Sequence, residues 1–124
     1  MRCPCTSGDA FDTCCEPILA GRAAAPTAVR LMRSRFTAFT TGDAAHLLRS
    51  WHPSTRPGEL ELDDNTRWMR LDILETAAGG PFDTDGIVAF EAFFRQDGAP
   101  GSMRERSRFV RENRTWLYVD GVSC

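Results

Sequence analysis

The chain has 124 residues, of which 42% are hydrophobic and 26% are charged, and its net charge at pH 7 is −2. This length and composition are those of one small globular domain with a core of its own. A net charge close to zero excludes an overall positive field that would draw the protein to nucleic acid or to anionic lipid. All fifteen basic residues are arginine, so chemistry that needs a lysine amine is excluded as well.

The start of the sequence, Met1-Arg2-Cys3-Pro4-Cys5, has no apolar stretch of the kind found in a secretory signal. No later segment approaches the length of an apolar membrane span. We therefore expect a cytoplasmic protein that does not associate with a membrane. In a reducing compartment, clustered cysteines indicate metal ligands or redox centres rather than disulfides.

Four of the five cysteines lie within the first fifteen residues, as the pairs Cys3/Cys5 and Cys14/Cys15. The loop of eight residues between the pairs is short enough to bring them together. Four thiolates at about 2.3 Å satisfy a tetrahedral zinc ion and leave no open position for water. The spacing therefore predicts one structural zinc ion, without a role as a Lewis acid.

Two other interpretations of the cysteine cluster stay open at this point. An iron–sulfur cluster also takes four cysteines, although the spacing matches neither common ferredoxin pattern. A redox pair usually has the form Cys-x-x-Cys at the start of a helix, and that arrangement is absent here. The fifth cysteine, Cys124, is the last residue, where we expect an inert or weakly reactive thiol.

Two helices are predicted next along the chain. Thr27 is suited to be the N-cap of the first, in which apolar residues recur at spacings of three and four until Gly42. Asp43 predicts the cap of a shorter second helix, which ends before Pro53. The apolar positions of the first helix are Ala28, Leu31, Met32, Phe36 and Phe39.

From Arg67 onward the hydrophobic pattern has a period of two, which is typical of half-buried strands. The first predicted strand places Met69, Leu71 and Ile73 on its buried face and ends at Gly79. Further strands are predicted at 86–95, 103–111 and 115–119, with a turn over 97–101.

Helices followed by a run of antiparallel strands predict an α+β fold. We expect a curved sheet wrapped round the long helix, which makes a cone with an internal pocket. Residues 1–25 then form a zinc-binding knuckle, and residues 26–124 form the cone-shaped domain.

The segment Cys3-Pro4-Cys5-Thr6-Ser7-Gly8, followed by Phe11 and Cys14-Cys15, resembles the SEC-C zinc motif, best known at the C-terminus of the SecA translocase. The resemblance covers thirteen residues and implies that these four cysteines bind zinc. The motif usually carries lysines between its cysteine pairs, whereas this chain has Asp9 and Asp12 there.

The rest of the chain resembles the uncharacterised bacterial family typified by YchJ. The resemblance is carried by residues 31–36, 51–56 and 105–109, together with Trp116, Tyr118 and Asp120. It implies a cystatin-like cone, similar to that of nuclear transport factor two.

Two classes of function are compatible with these features. The first is a zinc-binding protein that acts as a protein-binding or adaptor module, with another protein as its partner. The alternative is an enzyme of the hydrolase, dehydratase or isomerase type that takes a small hydrophobic ligand into the cone. His52, with Glu105 or Glu91, would supply its acid–base groups. The same glutamates are also suited to ion pairs with Arg33 or Arg35 of the long helix.

Arg104, Arg106 and Arg108 alternate along one strand and so share a face. Such a row can bind phosphates, but Glu105 and Glu112 interrupt the positive stretch. We expect a solvated sheet face and do not expect nucleic acid as a partner.

Overall fold

A computed structural model describes all of residues 1–124 and has the α+β architecture that the sequence predicts. A short 3-10 turn at Phe11–Thr13 precedes three helices, which are α1 (Glu16–Leu19), α2 (Ala28–Thr41) and α3 (Ala44–Arg49). The strands are β1 (Thr66–Ala78), β2 (Asp85–Gln96), β3 (Ala99–Glu112) and β4 (Thr115–Ser123).

The predicted helix ends are confirmed in atomic detail. The side chain of Thr27 accepts a hydrogen bond from the backbone N–H of Arg30 at 3.1 Å, which caps α2. Gly42 ends α2 with a φ of 77°, a conformation that glycine adopts without strain. Asp43 caps α3 by accepting from the N–H of His46 at 3.0 Å. None of these helices has the length and apolar character needed to cross a bilayer.

The four strands form one antiparallel sheet in the order β1-β2-β3-β4. Two-residue turns at Asp97-Gly98 and Asn113-Arg114 join the last three strands, and all four turn residues have positive φ. Such turns match the twist of the strands that they connect. The predicted turn over 97–101 is too long, because residues 99–101 already pair with residues 94–96 of β2.

The predicted buried face of β1 is wrong at Met69, which is 43% exposed. The pairing of β1 with β2 shifts between Trp68 and Arg70, so Met69 is the extra residue of a β-bulge. The bulge reverses the alternation at this point, which directs Trp68 towards α2, where its ring lies 6.2 Å from that of Phe36. After the bulge, Leu71 is buried as predicted.

Helix α2 lies across one face of the sheet and contacts β1, β2 and β4. The same continuous core includes the N-terminal segment, because the four clustered cysteines and Ile18 pack with residues of α2 and the sheet. The buried apolar side chains of the cone include Leu31, Phe36, Val88, Phe90, Phe109 and Trp116.

The free edge of β4 is covered by the segment that follows α3. The backbone N–H of Tyr118 donates to the carbonyl of Ser50 at 2.8 Å, and its carbonyl accepts from the N–H of His52 at 2.7 Å. These two bonds form a short parallel pairing, which protects part of an edge that would otherwise be open.

His46 is buried between α2 and α3, with only 3% of its surface exposed. Its Nε2 lies 2.9 Å from Oγ of Ser34, whereas its Nδ1 has no hydrogen-bond partner. Burial lowers the pKa of His46 to about 4, and the nearby charge of Arg49 acts in the same direction. The native protein therefore holds this imidazole neutral at pH values where an unfolded chain protonates it.

We predict that His46 makes the fold less stable in mild acid. Between its ordinary pKa of 6.5 and about 4, the unfolded chain binds a proton that the native histidine does not, so the free energy of unfolding falls as the pH drops through this window. Between pH 7 and pH 4.5, the free energy of unfolding should fall by about 2 kcal/mol more in the native protein than in His46→Gln. Urea unfolding of both proteins at pH 7 and pH 4.5 measures it. A difference between the two proteins that does not change with pH contradicts the prediction.

Candidate metal centre

The sulfur atoms of Cys3, Cys5, Cys14 and Cys15 all lie within 4.8 Å of one another. The Sγ atoms of Cys5 and Cys14 are 3.7 Å apart, and those of Cys14 and Cys15 are 3.9 Å apart. Four ligands at about 2.3 Å from a tetrahedral ion have edges of about 3.8 Å. The sulfurs are too far apart for disulfides, and all five cysteines of the chain are free. The cluster therefore fits one tetrahedral metal ion.

The loop between the cysteine pairs folds back through two residues with positive φ. Thr6 has a φ of 61° and Gly8 a φ of 93°, which reverses the chain directly after Cys5. The backbone N–H of Cys3 then donates to the carbonyl of Asp9 at 2.9 Å, which closes the loop. Because the chain returns beside its own start, the second cysteine pair meets the first.

The four clustered cysteines are almost completely shielded from solvent, with exposed fractions between 0% and 3%. Two hydroxyls lie near their sulfurs. Oγ of Ser7 is 3.3 Å from Sγ of Cys14, and Oγ1 of Thr37 is 3.8 Å from Sγ of Cys3. Hydroxyls in such positions orient the ligands of a metal site. With no open path for water, the site is suited to a structural ion.

Hydrogen bonding and burial oppose the simultaneous ionisation of these four thiols when no cation is bound. The hydrogen bond from Cys15 lowers the pKa of Cys5 to about 4, and the same bond raises the pKa of Cys15. Burial raises the pKa of Cys14. Without a metal, one thiolate forms at the expense of its neighbours, whereas a divalent cation allows all four thiols to lose their protons.

Two arginines of α2 hold the ligand-bearing loops against the cone. Nη2 of Arg30 donates to the carbonyl of Cys14 at 3.2 Å, and Nη1 of Arg33 donates to the carbonyl of Cys5 at 3.0 Å. Neither arginine was predicted to contact the cysteine cluster. Their spacing of three residues does place both on one helical face, which is the available sequence signal.

Thr6 attaches the metal centre to the edge of the sheet. Its hydroxyl donates to the carbonyl of Leu71 and accepts from the N–H of Leu71, both at 3.1 Å. Leu71 lies in β1, at the outer edge of the sheet, where no further strand follows. One hydroxyl therefore satisfies two backbone groups of an otherwise open edge.

The candidate acid–base residues do not come together. The partly exposed ring of His52 lies near the turn after β3, with Nε2 at 3.0 Å from the carboxylate of Glu112. Glu91 lies on the sheet face opposite α2 and pairs with Arg104 at 3.3 Å. Only Glu105 faces the cavity between α2 and the sheet.

Three of the four arginines of β3 lie beside carboxylates on the outer face of the sheet. The carboxylates belong to β1, β2 and β4, so the row does not present a run of unpaired positive charge. The pairs are Arg104–Glu91 at 3.3 Å, Arg106–Glu75 at 3.2 Å and Arg108–Asp120 at 2.7 Å.

Two further residues have locations that bear on function. Cys124 is exposed and is not part of the sulfur cluster. Arg35 is 3% exposed and lines the same cavity as Glu105, although it forms no ion pair. Its position three residues after Met32, on the apolar stripe of α2, is the sequence signal for this buried charge.

We predict that Thr6→Ala lowers the free energy of unfolding by about 1–2 kcal/mol, because both backbone groups of Leu71 lose their partner. Thr6→Ser keeps the hydroxyl and should retain most of the stability. Denaturant unfolding of the three proteins in the presence of metal measures the difference. Equal losses in the alanine and serine variants would show that the hydroxyl does not connect the loop to the sheet.

Comparison with known proteins agrees with this architecture. The family model described as the middle NTF2-like domain of YchJ matches residues 27–121. UPF0225 protein SCO1677 of Streptomyces coelicolor is 51% identical over 119 residues, which cover 96% of this chain and 93% of that protein. UPF0225 protein Cgl1438/cg1626 of Corynebacterium glutamicum is 49% identical and covers 97% and 95% of the two chains.

Two solved structures share the fold across nearly the whole chain. The solution structure of RPA3114, a SEC-C motif containing protein from Rhodopseudomonas palustris, has a TM-score of 0.87 at 29% identity and covers 100% of this chain and 99% of that one. The crystal structure of a SEC-C motif containing protein from Psychrobacter arcticus has a TM-score of 0.78 at 21% identity, covers 98% and 82% of the two chains, and shows the fold alone. From the family model and these relatives, the chain belongs to the YchJ-like UPF0225 family.

Proposed function

We propose that this protein binds one structural zinc ion and uses the knuckle that the ion stabilises to bind a protein partner. The observation that carries the proposal is the set of four buried cysteine sulfurs at tetrahedral spacing. The likeness to proteins described as containing a SEC-C motif supports it. The alternative of an enzyme has less support, because two of its three candidate residues lie away from the cavity.

Zinc fits the donor set better than the other groups that four cysteines bind. The measured sulfur separations of 3.7 Å and 3.9 Å are those of ligands round a single ion. A cluster of two or four irons places bridging sulfides between its ligands, so its cysteine sulfurs lie farther apart. Soft thiolates in a tetrahedral array favour zinc over hard cations such as magnesium and calcium.

The ion would be structural because no coordination position is left for water or a substrate. All four positions of a tetrahedral ion are taken by the sulfurs of Cys3, Cys5, Cys14 and Cys15. When bound, zinc supplies the free energy that orders the segment, of order 10 kcal/mol for short peptides. The hydroxyls of Ser7 and Thr37 orient two of the sulfurs, and the arginines of α2 fix the loops that carry the ligands.

A closed knuckle without catalytic groups is suited to binding a protein partner. The outer surface of the knuckle exposes Met1, of which 87% is accessible, together with the charged residues Arg2, Asp9 and Asp12. Backbone hydrogen bonds and the contacts with the cone hold the loop that carries these side chains, which lowers the ordering cost of binding. A rigid surface of mixed charge with an apolar residue suits another protein better than a polyanion.

We predict that the purified protein carries one equivalent of zinc and that Cys5→Ser loses it, because a hydroxyl is a poor ligand in a thiolate site. Cys124→Ser is the matched control and should keep the ion, since Cys124 lies outside the cluster. Elemental analysis measures the metal content. Iron in place of zinc, no metal at all, or equal loss in both variants would overturn the zinc proposal.

We further predict that partner binding depends on the knuckle. Full-length protein and Cys124→Ser should capture the same proteins from cells of the source organism, whereas Cys5→Ser should lose at least one of them. His52→Ala, Glu91→Gln and Glu105→Gln should capture the full set, because an adaptor does not need these groups. Quantitative mass spectrometry compares the captured proteins. Identical sets for Cys5→Ser and the intact protein would exclude the knuckle as the docking element.

A further inference from the structure

The cone contains a cavity of about 160 Å³ that the metal centre does not explain. Its walls are mostly apolar and include Phe36, Phe39, Trp68 and Phe90. An engineered cavity of about 150 Å³ in another protein holds one benzene molecule. The cavity in this cone is therefore large enough for a single ring with a small substituent.

Arg35 places a positive charge in this apolar wall. Its Nη1 donates to the carbonyl of Leu47 at 2.8 Å and to Oγ of Ser50 at 2.7 Å. Its Nε and Nη2 have no protein acceptor among the hydrogen bonds of the structure, and no carboxylate lies within ion-pair distance of the guanidinium. Neither nitrogen is among the fully enclosed atoms that lack a partner, so both are open to the cavity, where a bound molecule can accept from them.

Two aromatic rings keep the guanidinium in place. The Cζ atom of Arg35 lies 4.4 Å from the ring centre of Tyr118 and 5.1 Å from that of Trp51. Burial lowers the pKa of Arg35 only to about 10, so the group stays charged at neutral pH. Trp51 also lines the cavity, and its Nε1 is a buried donor without an acceptor.

The cavity also contains one negatively charged group, Glu105, whose carboxylate accepts from Oγ of Ser107 at 2.5 Å. Burial, followed by the charge of Glu105, raises the pKa of Tyr118 to about 12, so the tyrosine hydroxyl is a donor at neutral pH. One arginine and one glutamate leave the cavity without net charge. A neutral guest preserves this balance, whereas a charged guest would add an unbalanced charge to an apolar space.

We propose that the cavity binds a neutral single-ring molecule with a carbonyl group. The carbonyl oxygen accepts from Nε and Nη2 of Arg35, which together are the free edge of its guanidinium, and the ring packs on the aromatic wall. A carboxamide suits the site best, because its N–H groups can donate to Glu105. This site is independent of the metal centre, since it shares no residue with the four cysteines. Neither the proposed zinc ion nor the proposed protein partner is required for it.

Benzamide is the probe that tests this proposal, and the three tryptophans supply the readout. The indole N–H signals of Trp51 and Trp68, which line the cavity, should shift on titration in ¹⁵N-labelled protein. The signal of Trp116 should not shift, because its Nε1 faces the carbonyl of Pro26 outside the cavity. Toluene lacks the carbonyl and benzoate adds a charge, so both should bind at least about tenfold more weakly than benzamide.

Arg35→Lys removes the free edge and keeps the charge, so benzamide affinity should fall about tenfold. Arg104→Lys makes the same change on the outer face and should have no effect. Ala92→Leu fills the cavity without touching a polar group and should abolish binding. An unchanged Trp116 signal verifies that each variant is folded, and the ligand series on the unmodified protein stands even where a variant does not fold.

Three results would overturn the proposal. Equal affinities for toluene and benzamide would show a purely apolar cavity, and tighter binding of benzoate would assign the site to an anion. Failure of all three probes to shift the indole signals of Trp51 and Trp68 would show that the cavity accepts no ring of this size.

Discussion

The fold of the N-terminal segment depends on four thiolates that cannot lie side by side without a cation. Their sulfurs are within 4.8 Å of one another and almost fully buried. Ordering the loops that carry these cysteines costs conformational entropy. Contacts with the cone through Thr6, Arg30 and Arg33 offset part of that cost.

Helix α2 connects the two places where chemistry is concentrated. Arg30 and Arg33 reach from this helix to the loops that carry the cysteines, and Arg35 faces the cavity on the opposite side. The helix is capped at both ends, by Thr27 and Gly42, so these arginines project from a rigid element. A change in the position of α2 would move both sites together, although neither shares a residue with the other.

Local rules predicted α2, α3, the strands and the sulfur cluster, because caps, alternation and cysteine spacing act within a few residues. The 3-10 turn and α1 were not predicted, because they are too short to show a hydrophobic period. Alternation alone does not reveal a bulge, and for that reason Met69 was placed on the wrong face. The separation of His52 and Glu91 from Glu105 depends on strand register across the sheet, which no local pattern encodes. The domain boundary after residue 25 stays a prediction, although the matched NTF2-like region begins at residue 27.

Arg35 distinguishes a structural from a binding interpretation of the cone. A purely structural arginine would need only Nη1, which donates to the carbonyl of Leu47 and to Oγ of Ser50 at the C-terminal end of α3. Nε and Nη2 are further charged donors that reach the cavity and that the protein itself does not use. Two aromatic rings hold these donors beside an apolar space of about 160 Å³, with a carboxylate in the same cavity to balance the charge. The buried N–H of Trp51, which lines the same cavity, has no acceptor at all. Packing alone uses none of these donors, whereas a guest with a carbonyl oxygen supplies an acceptor.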